Sequence, residues 1–113
     1  RTTVALGTDN VMTDSPSMFR EMEFAAKLSD LPARAILRMA TANGAEIAGV
    51  DRGVIEPGAD ADLLVLDGDS DNLSGARDLV RAVVPATTES RFAFRRDSSL
   101  APLPVRFRTA PTG

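Results

Sequence analysis

The stretch GVIEPGADADLLVLD, residues 53–67, decides the fold because the spacing of apolar residues changes across it. Before it they recur at helical intervals, and after it they form short strand-like runs. Pro57-Gly58 predicts a type II turn, since Pro presets φ at the second position and Gly supplies the positive φ needed at the third. The run LLVL at residues 63–66 predicts a strand. Residues 53–67 therefore predict a hairpin-like link inside an α/β or α+β domain, without chemistry of its own.

The composition limits the possible functions. A chain of 113 residues with 43% hydrophobic content fits one modest domain or a piece of a larger one, and its first residue, Arg1, suggests a piece. No apolar run is long enough to predict a membrane span, so we expect no membrane partner. The absence of cysteine fits a cytoplasmic setting, and the absence of histidine removes the commonest metal ligand and acid–base group.

The charge is unevenly distributed along the chain. Residues 1–78 carry fourteen acids and seven bases, whereas residues 79–113 carry two acids and six bases. An acidic body argues against a nucleic acid as partner.

Apolar spacing predicts three helices before residue 53. Ser15 as N-cap and Pro16 at the first position predict the start of the first helix. A second helix is expected over residues 33–42, and Thr41 is expected to cap a short third helix, 44–48, which ends at Gly49. The side chains expected to face the core are Met18, Phe19, Met22, Ala25, Ala26, Ile36, Leu37, Met39 and Ala40.

Short apolar runs predict strands at both ends of the chain. Residues 2–6, TTVAL, have the unbroken apolar character of a strand buried on both faces. Residues 79–84 and 91–95 are also strand candidates. The proline-rich residues 98–113 predict a flexible tail.

Asp9 is the best candidate for a functional residue. It lies in the polar sequence Gly-Thr-Asp-Asn, directly after the expected first strand, and sites of α/β proteins form at the carboxyl ends of strands. The alternative is that Asp9 or Asn10 only stabilises a turn. The acidic loop 68–72 lacks the ligand spacing of an EF-hand and is better interpreted as a solvated loop.

Three motifs together resemble the C-terminal part of the metal-dependent amidohydrolase superfamily. They are LGTDN at residues 6–10, ATANGA at 40–45 and the 53–67 stretch. The helical sequence SMFREM at 17–22 is similar to the branch that contains cytosine, guanine and adenosine-type deaminases and chlorohydrolases. The resemblance implies a hydrolase of C–N bonds, with deamination of an aminated heterocycle or nucleoside as the expected reaction.

The resemblance also implies an architecture and a site. Residues 1–50 would supply the last strand and the C-terminal helices of a (β/α)8 TIM barrel, and residues 51–97 would supply part of a small β-sandwich. Asp9 would be a ligand of zinc or another divalent metal and would accept a proton from the attacking water, while Asn10 would approach the substrate. The resembling residues cover only about the last quarter of such an enzyme and lack its histidines. We therefore expect no tightly bound metal and no activity in this chain alone.

Two expectations about partners follow. A piece of a barrel needs the N-terminal barrel portion as its partner, binds a small-molecule substrate only in the intact enzyme, and should self-associate through uncovered apolar surface. The alternative is a stand-alone acidic α+β interaction domain without catalysis, which should be a cooperative monomer.

Overall fold

The computed structural model describes residues 2–9, 12, 16–69 and 73–85, and the backbone of 90–94. The elements in chain order are α1 (Met18–Leu28), α2 (Ala33–Met39), α3 (Ala42–Ala48), β1 (Leu63–Leu66), α4 (Leu79–Val83) and β2 (Ser90–Phe94). The prediction of a mixed helix and strand fold is confirmed. Across these described ranges, no helix is both long and apolar enough to cross a membrane. The predicted tail at 98–113 lies outside the described residues.

Helix α1 begins later than predicted. Its N-cap is Ser17, whose backbone is extended and whose hydroxyl accepts a hydrogen bond from the Arg20 amide at 3.5 Å. The Arg20 amide lies in the first turn of the helix, where amides have no backbone acceptor within the helix. The Ser17 oxygen, three residues earlier, can accept this hydrogen bond. Pro16 precedes the helix, and Ser15 lies outside the described residues. The expected core face is confirmed at Met22, which is buried.

Helices α2 and α3 meet at a tight junction. Helix α2 ends at Met39, three residues earlier than predicted, and α3 begins at Ala42, two residues earlier than predicted. Thr41 precedes α3, but its hydroxyl donates to the Leu37 carbonyl at 2.8 Å instead of capping α3. The end of α3 at Gly49 is confirmed.

The core is formed by three buried side chains from three helical segments: Met22, Ile36 and Val84. Partly buried neighbours complete it: Leu6, Phe19, Ala25, Ala26, Ala33, Leu37, Ala40 and Val80. Hydrophobic contact therefore joins α1 and α2 to the end of α4, which is distant from them in sequence.

The prediction of a strand at residues 79–84 is wrong, because this segment forms helix α4. The carboxylate of Asp78 accepts hydrogen bonds from the amides of Val80 at 3.0 Å and Arg81 at 3.2 Å. These bonds satisfy two amides of the first helical turn. The helical period then places Val80 and Val84 on one face, against the core.

The prediction of a strand at residues 2–6 is also wrong for the structure described. Among the described residues the segment belongs to no strand ladder, and α2 and α3 supply the partners of two of its backbone groups. The Leu6 amide donates to the Met39 carbonyl at 2.9 Å, and the Val4 carbonyl accepts from the Asn43 side chain. A strand requires a neighbouring strand, and none lies beside this segment in the part of the chain that the structure describes.

The 53–67 stretch contains the predicted turn and the predicted strand. The Ala59 amide donates to the Glu56 carbonyl at 3.3 Å, and Gly58 has a φ of 95°, as a type II turn requires. Strand β1 pairs antiparallel with β2, which confirms the strand expected over 91–95 with a start at Ser90. The register shifts between Val65 and Leu66, where the ladder has a bulge.

Gly53 is required by the packing of this stretch against α3. Its φ is 82°, and a Cβ atom there would lie 3.0 Å from the Thr41 carbonyl and from the Ala42 Cα. We expect Gly53→Ala to lower the free energy of unfolding by about 2–3 kcal/mol, from left-handed strain and backbone crowding together. Urea denaturation followed by circular dichroism measures this change.

Gly58→Ala is the matched control for this prediction. Gly58 has a similar positive φ of 95°, but a Cβ there would meet nothing within 4 Å. Its cost should be the strain alone, about 1–2 kcal/mol. Equal losses of unfolding free energy in the two variants would show that crowding against α3 adds nothing to the cost of Gly53→Ala.

Candidate functional site

The candidate residue Asp9 follows a segment that is attached to the α2–α3 junction. Three hydrogen bonds hold the segment. The backbone amide of Leu6 donates to the Met39 carbonyl at 2.9 Å, and the side-chain amide of Asn43 donates to the Val4 carbonyl at 2.8 Å. The Thr3 hydroxyl donates to the Glu46 carboxylate at 3.2 Å. The first two hydrogen bonds are made by backbone groups of the segment, so they restrain the course of its backbone independently of its side chains. The segment that leads to Asp9 is therefore held by tertiary contacts.

Asp9 has an unusual backbone conformation. Its φ is 38°, and it is the one non-glycine residue with positive φ in the described part of the chain. Aspartate tolerates this region better than most residues, but the conformation still costs free energy and occurs often at functional sites. Asp9 is exposed. This conformation supports Asp9 as a site residue, and its role stays a prediction.

Asn10, the predicted substrate contact, lies outside the described residues, so its place beside Asp9 stays a prediction. The residues that do gather near the segment are others. Thr2, Thr3, Arg38, Asn43 and Glu46 line a polar cleft of about 400 Å³. Asp9 is not among them.

The described residues do not form a complete set of metal ligands. Within residues 2–9, 12, 16–69 and 73–85, no three or more acidic, histidine or cysteine side chains lie close enough to hold a metal ion. A stable divalent site normally uses three or four protein ligands. Asp9 alone therefore does not fit a zinc site, and any metal it contacts would need its other ligands from elsewhere.

Zinc titration provides a direct test of this conclusion. Isothermal calorimetry of the 113-residue chain at neutral pH should detect no stoichiometric tight zinc binding, because one carboxylate is a weak ligand set. The Asp9→Asn variant is the control and should give the same weak trace. A one-to-one site with a dissociation constant of about a micromolar or below would contradict the expectation.

A cluster of ion pairs outside the candidate site joins the two ends of the loop that contains the Pro57-Gly58 turn. The guanidinium of Arg52 donates from Nη1 to Asp62 at 2.9 Å, and its Nε lies 3.5 Å from an Asp60 oxygen. The Asp60 amide also donates to the Asp51 carbonyl at 3.1 Å. These groups are partly exposed and join the two ends of the loop, so their role is structural.

Sequence reasoning missed both the Asn43 contact and the Arg52 cluster. The alternation Asp60-Ala61-Asp62 is a usable signal for the cluster, because residues two apart in an extended chain project to the same side. The Asn43 contact joins residues 39 positions apart and has no local signal.

Comparison with known proteins identifies the family. The profile of the amidohydrolase family matches residues 2–98, most of the chain. The chain belongs to the amidohydrolase family, which confirms the resemblance carried by the three sequence motifs. No solved structure matches it.

Several curated relatives have deaminase names. Two are 5-methylthioadenosine/S-adenosylhomocysteine deaminases: one from Haloarcula marismortui is 44% identical over 87 residues, and one from Halobacterium salinarum is 43% identical over 95. The matches cover 69% and 76% of this chain, but 20% and 22% of those relatives. A 5'-deoxyadenosine deaminase from Methanosarcina mazei is 41% identical over 73 residues, which cover 57% of this chain and 17% of that relative. The chain thus spans about a fifth of the length of the relatives it matches.

Proposed function

We propose that this chain is the C-terminal part of a metal-dependent amidohydrolase that hydrolytically deaminates an adenosine-type nucleoside. The observation that carries the proposal is the identity of 44% and 43% to two 5-methylthioadenosine/S-adenosylhomocysteine deaminases over more than two thirds of the chain. The proposed reaction replaces the exocyclic amino group of the purine with oxygen from water and releases ammonia.

Asp9 is the group that this chain would contribute to the reaction. An ionised carboxylate can accept a proton from attacking water and pass it on to the leaving amino group, a role that typically accelerates a reaction by a factor of about 10²–10⁴. Two observations support this assignment: the side chain of Asp9 is exposed, and its positive φ is of the kind that occurs often at functional sites. In the intact enzyme Asp9 would also be one ligand of a divalent metal, with the other ligands supplied by the remaining barrel strands.

Exposed apolar side chains support the proposal that further protein covers this chain. Leu28 is 83% exposed and Ile55 is 90% exposed, and both are large aliphatic residues that folding usually removes from water. Phe24 lies one helical turn before Leu28 and is 53% exposed, and Leu31, just after α1, is 47% exposed. The proposed cover is the remainder of the barrel and sandwich, and self-association of the isolated chain stays a prediction.

A chimeric enzyme tests the proposal. In the chimera, this chain replaces the matching fifth of the Haloarcula marismortui relative, and deamination of 5'-methylthioadenosine is followed by ammonia release and by the change in purine ultraviolet absorbance. We expect activity in the chimera and none in the isolated chain. The unmodified relative is the positive control.

The result that would contradict the proposal is a folded, metal-loaded chimera that deaminates no adenosine-type nucleoside. Metal content and circular dichroism establish that the chimera is folded and loaded. Activity of the isolated 113-residue chain would equally contradict the proposal that it needs the remainder of the enzyme.

A further inference from the structure

Asn43 connects helix α3 to the segment that precedes Asp9. Its side-chain Nδ2 donates to the Val4 carbonyl at 2.8 Å. Asn43 is the second residue of α3, so the helix fixes the position from which its side chain reaches the segment. The bond joins two parts of the chain that are 39 residues apart, and it links a side chain directly to the backbone of this segment.

A second hydrogen bond holds the same segment, two residues further on. The Val4 carbonyl accepts from Asn43, and the Leu6 amide donates to Met39 at the end of α2. The two partners lie on either side of the α2–α3 junction, so together they fix both the position and the direction of residues 4–6.

This two-point attachment lies three to five residues before Asp9. The positive φ of Asp9 is an unfavourable conformation, and such a conformation persists only when surrounding contacts hold the chain in place. Because no strand ladder holds residues 2–9, the α2–α3 junction is the support that the described structure offers. Thr3 adds a hydrogen bond to Glu46, but this bond joins two side chains and does not restrain the backbone directly.

We propose that Asn43 is a positioning residue, whose side-chain amide holds the Val4–Leu6 backbone and thereby orients the residues that lead to Asp9. The catalytic meaning of this orientation rests on the proposed function. The orientation itself is a property of the 113-residue chain and can be measured without any reaction.

Asn43→Asp is the decisive variant. A carboxylate has the shape of the amide but only accepts hydrogen bonds, and an acidic residue is favourable in the first turn of a helix. The variant therefore removes the bond to Val4 and preserves α3. In the full 113-residue chain, nuclear magnetic resonance should show at least a tenfold faster hydrogen exchange of the Leu6 amide. It should also show a weaker intraresidue amide-to-Hα Overhauser effect at Asp9, which is strong when φ is positive.

Thr3→Val is the matched control, because it removes the Thr3–Glu46 bond from the same segment without touching the backbone. It should change the Leu6 exchange rate less than twofold and leave the Asp9 signal unchanged. The amides of α1 and α2 serve as the internal standard for global unfolding. An unchanged Leu6 rate and an unchanged Asp9 signal in Asn43→Asp would overturn the proposal.

A measurement on the unmodified chain covers the case in which Asn43→Asp fails to fold. A scalar coupling across the hydrogen bond, between Asn43 Nδ2 and the Val4 carbonyl carbon, should be observable, and its absence would overturn the proposal. None of these signals depends on catalysis. Failure of the proposed deaminase function would leave them unchanged, so the two failures are distinguishable.

Discussion

Replacing Asp9 with Asn in the chimeric enzyme should lower kcat at least about 100-fold, the lower range for loss of a group that transfers protons. Asparagine keeps the size of the side chain and tolerates positive φ about as well as aspartate, so the backbone at this position should not change. The amide cannot accept a proton, however. The loss should therefore appear in kcat under saturating substrate and not as unfolding.

Asp69→Asn is the matched control for Asp9→Asn. Asp69 is also an exposed aspartate, and it lies in the turn after β1. This variant should keep kcat within about twofold, since exposed surface substitutions are usually nearly neutral. Equal and small effects for the two variants would exclude Asp9 from the reaction.

Truncating Ile36 to Ala should lower the free energy of unfolding by about 2–5 kcal/mol, the usual cost of removing a buried aliphatic side chain. Ile36 is 0% exposed and forms the buried cluster with Met22 and Val84. With so few fully buried side chains among the described residues, such a loss is a large fraction of the total stability of about 5–15 kcal/mol expected for a domain. Urea denaturation measures the change.

Two further variants make the Ile36 result interpretable. Ile36→Val removes one methylene group and should cost about 0.5–1.5 kcal/mol, which remains measurable if the alanine variant does not fold. Ile47→Ala makes the same truncation on α3, where the side chain is 60% exposed, and should change stability by less than about 0.5 kcal/mol. A loss at Ile47 equal to that at Ile36 would mean that this cluster is not the core.

The helical part of the fold was largely predictable because its signals are local. The apolar spacing around Met22 and Ile36 specifies two amphipathic helices, and Pro57-Gly58 specifies the turn before β1. The run LVRAVV at residues 79–84 was ambiguous, since a short apolar run fits a strand and a helical face equally well. Asp78 before this run was an N-cap signal that favours the helix.

The candidate site was only partly predictable. Asp9 could be selected because short polar residues follow an apolar run, but its positive φ and its attachment through Asn43 depend on contacts between distant parts of the chain. The strand assigned to residues 2–6 was wrong because a strand is defined by its neighbour, which local sequence does not specify. The barrel, the sandwich and the division near residue 50 stay predictions.

The ion pairs of Arg52 make the loop before β1 a natural place to insert foreign sequence. The ion pairs from Arg52 to Asp60 and Asp62 hold the two ends of the loop together. The position at which β1 begins therefore does not depend on the exposed tip at Pro57-Gly58. A flexible insert there should cost only closure entropy, about 0.6 kcal/mol for each doubling of loop length. A fluorescent label or an affinity peptide placed at this tip would report on the chain without altering the segment that presents Asp9.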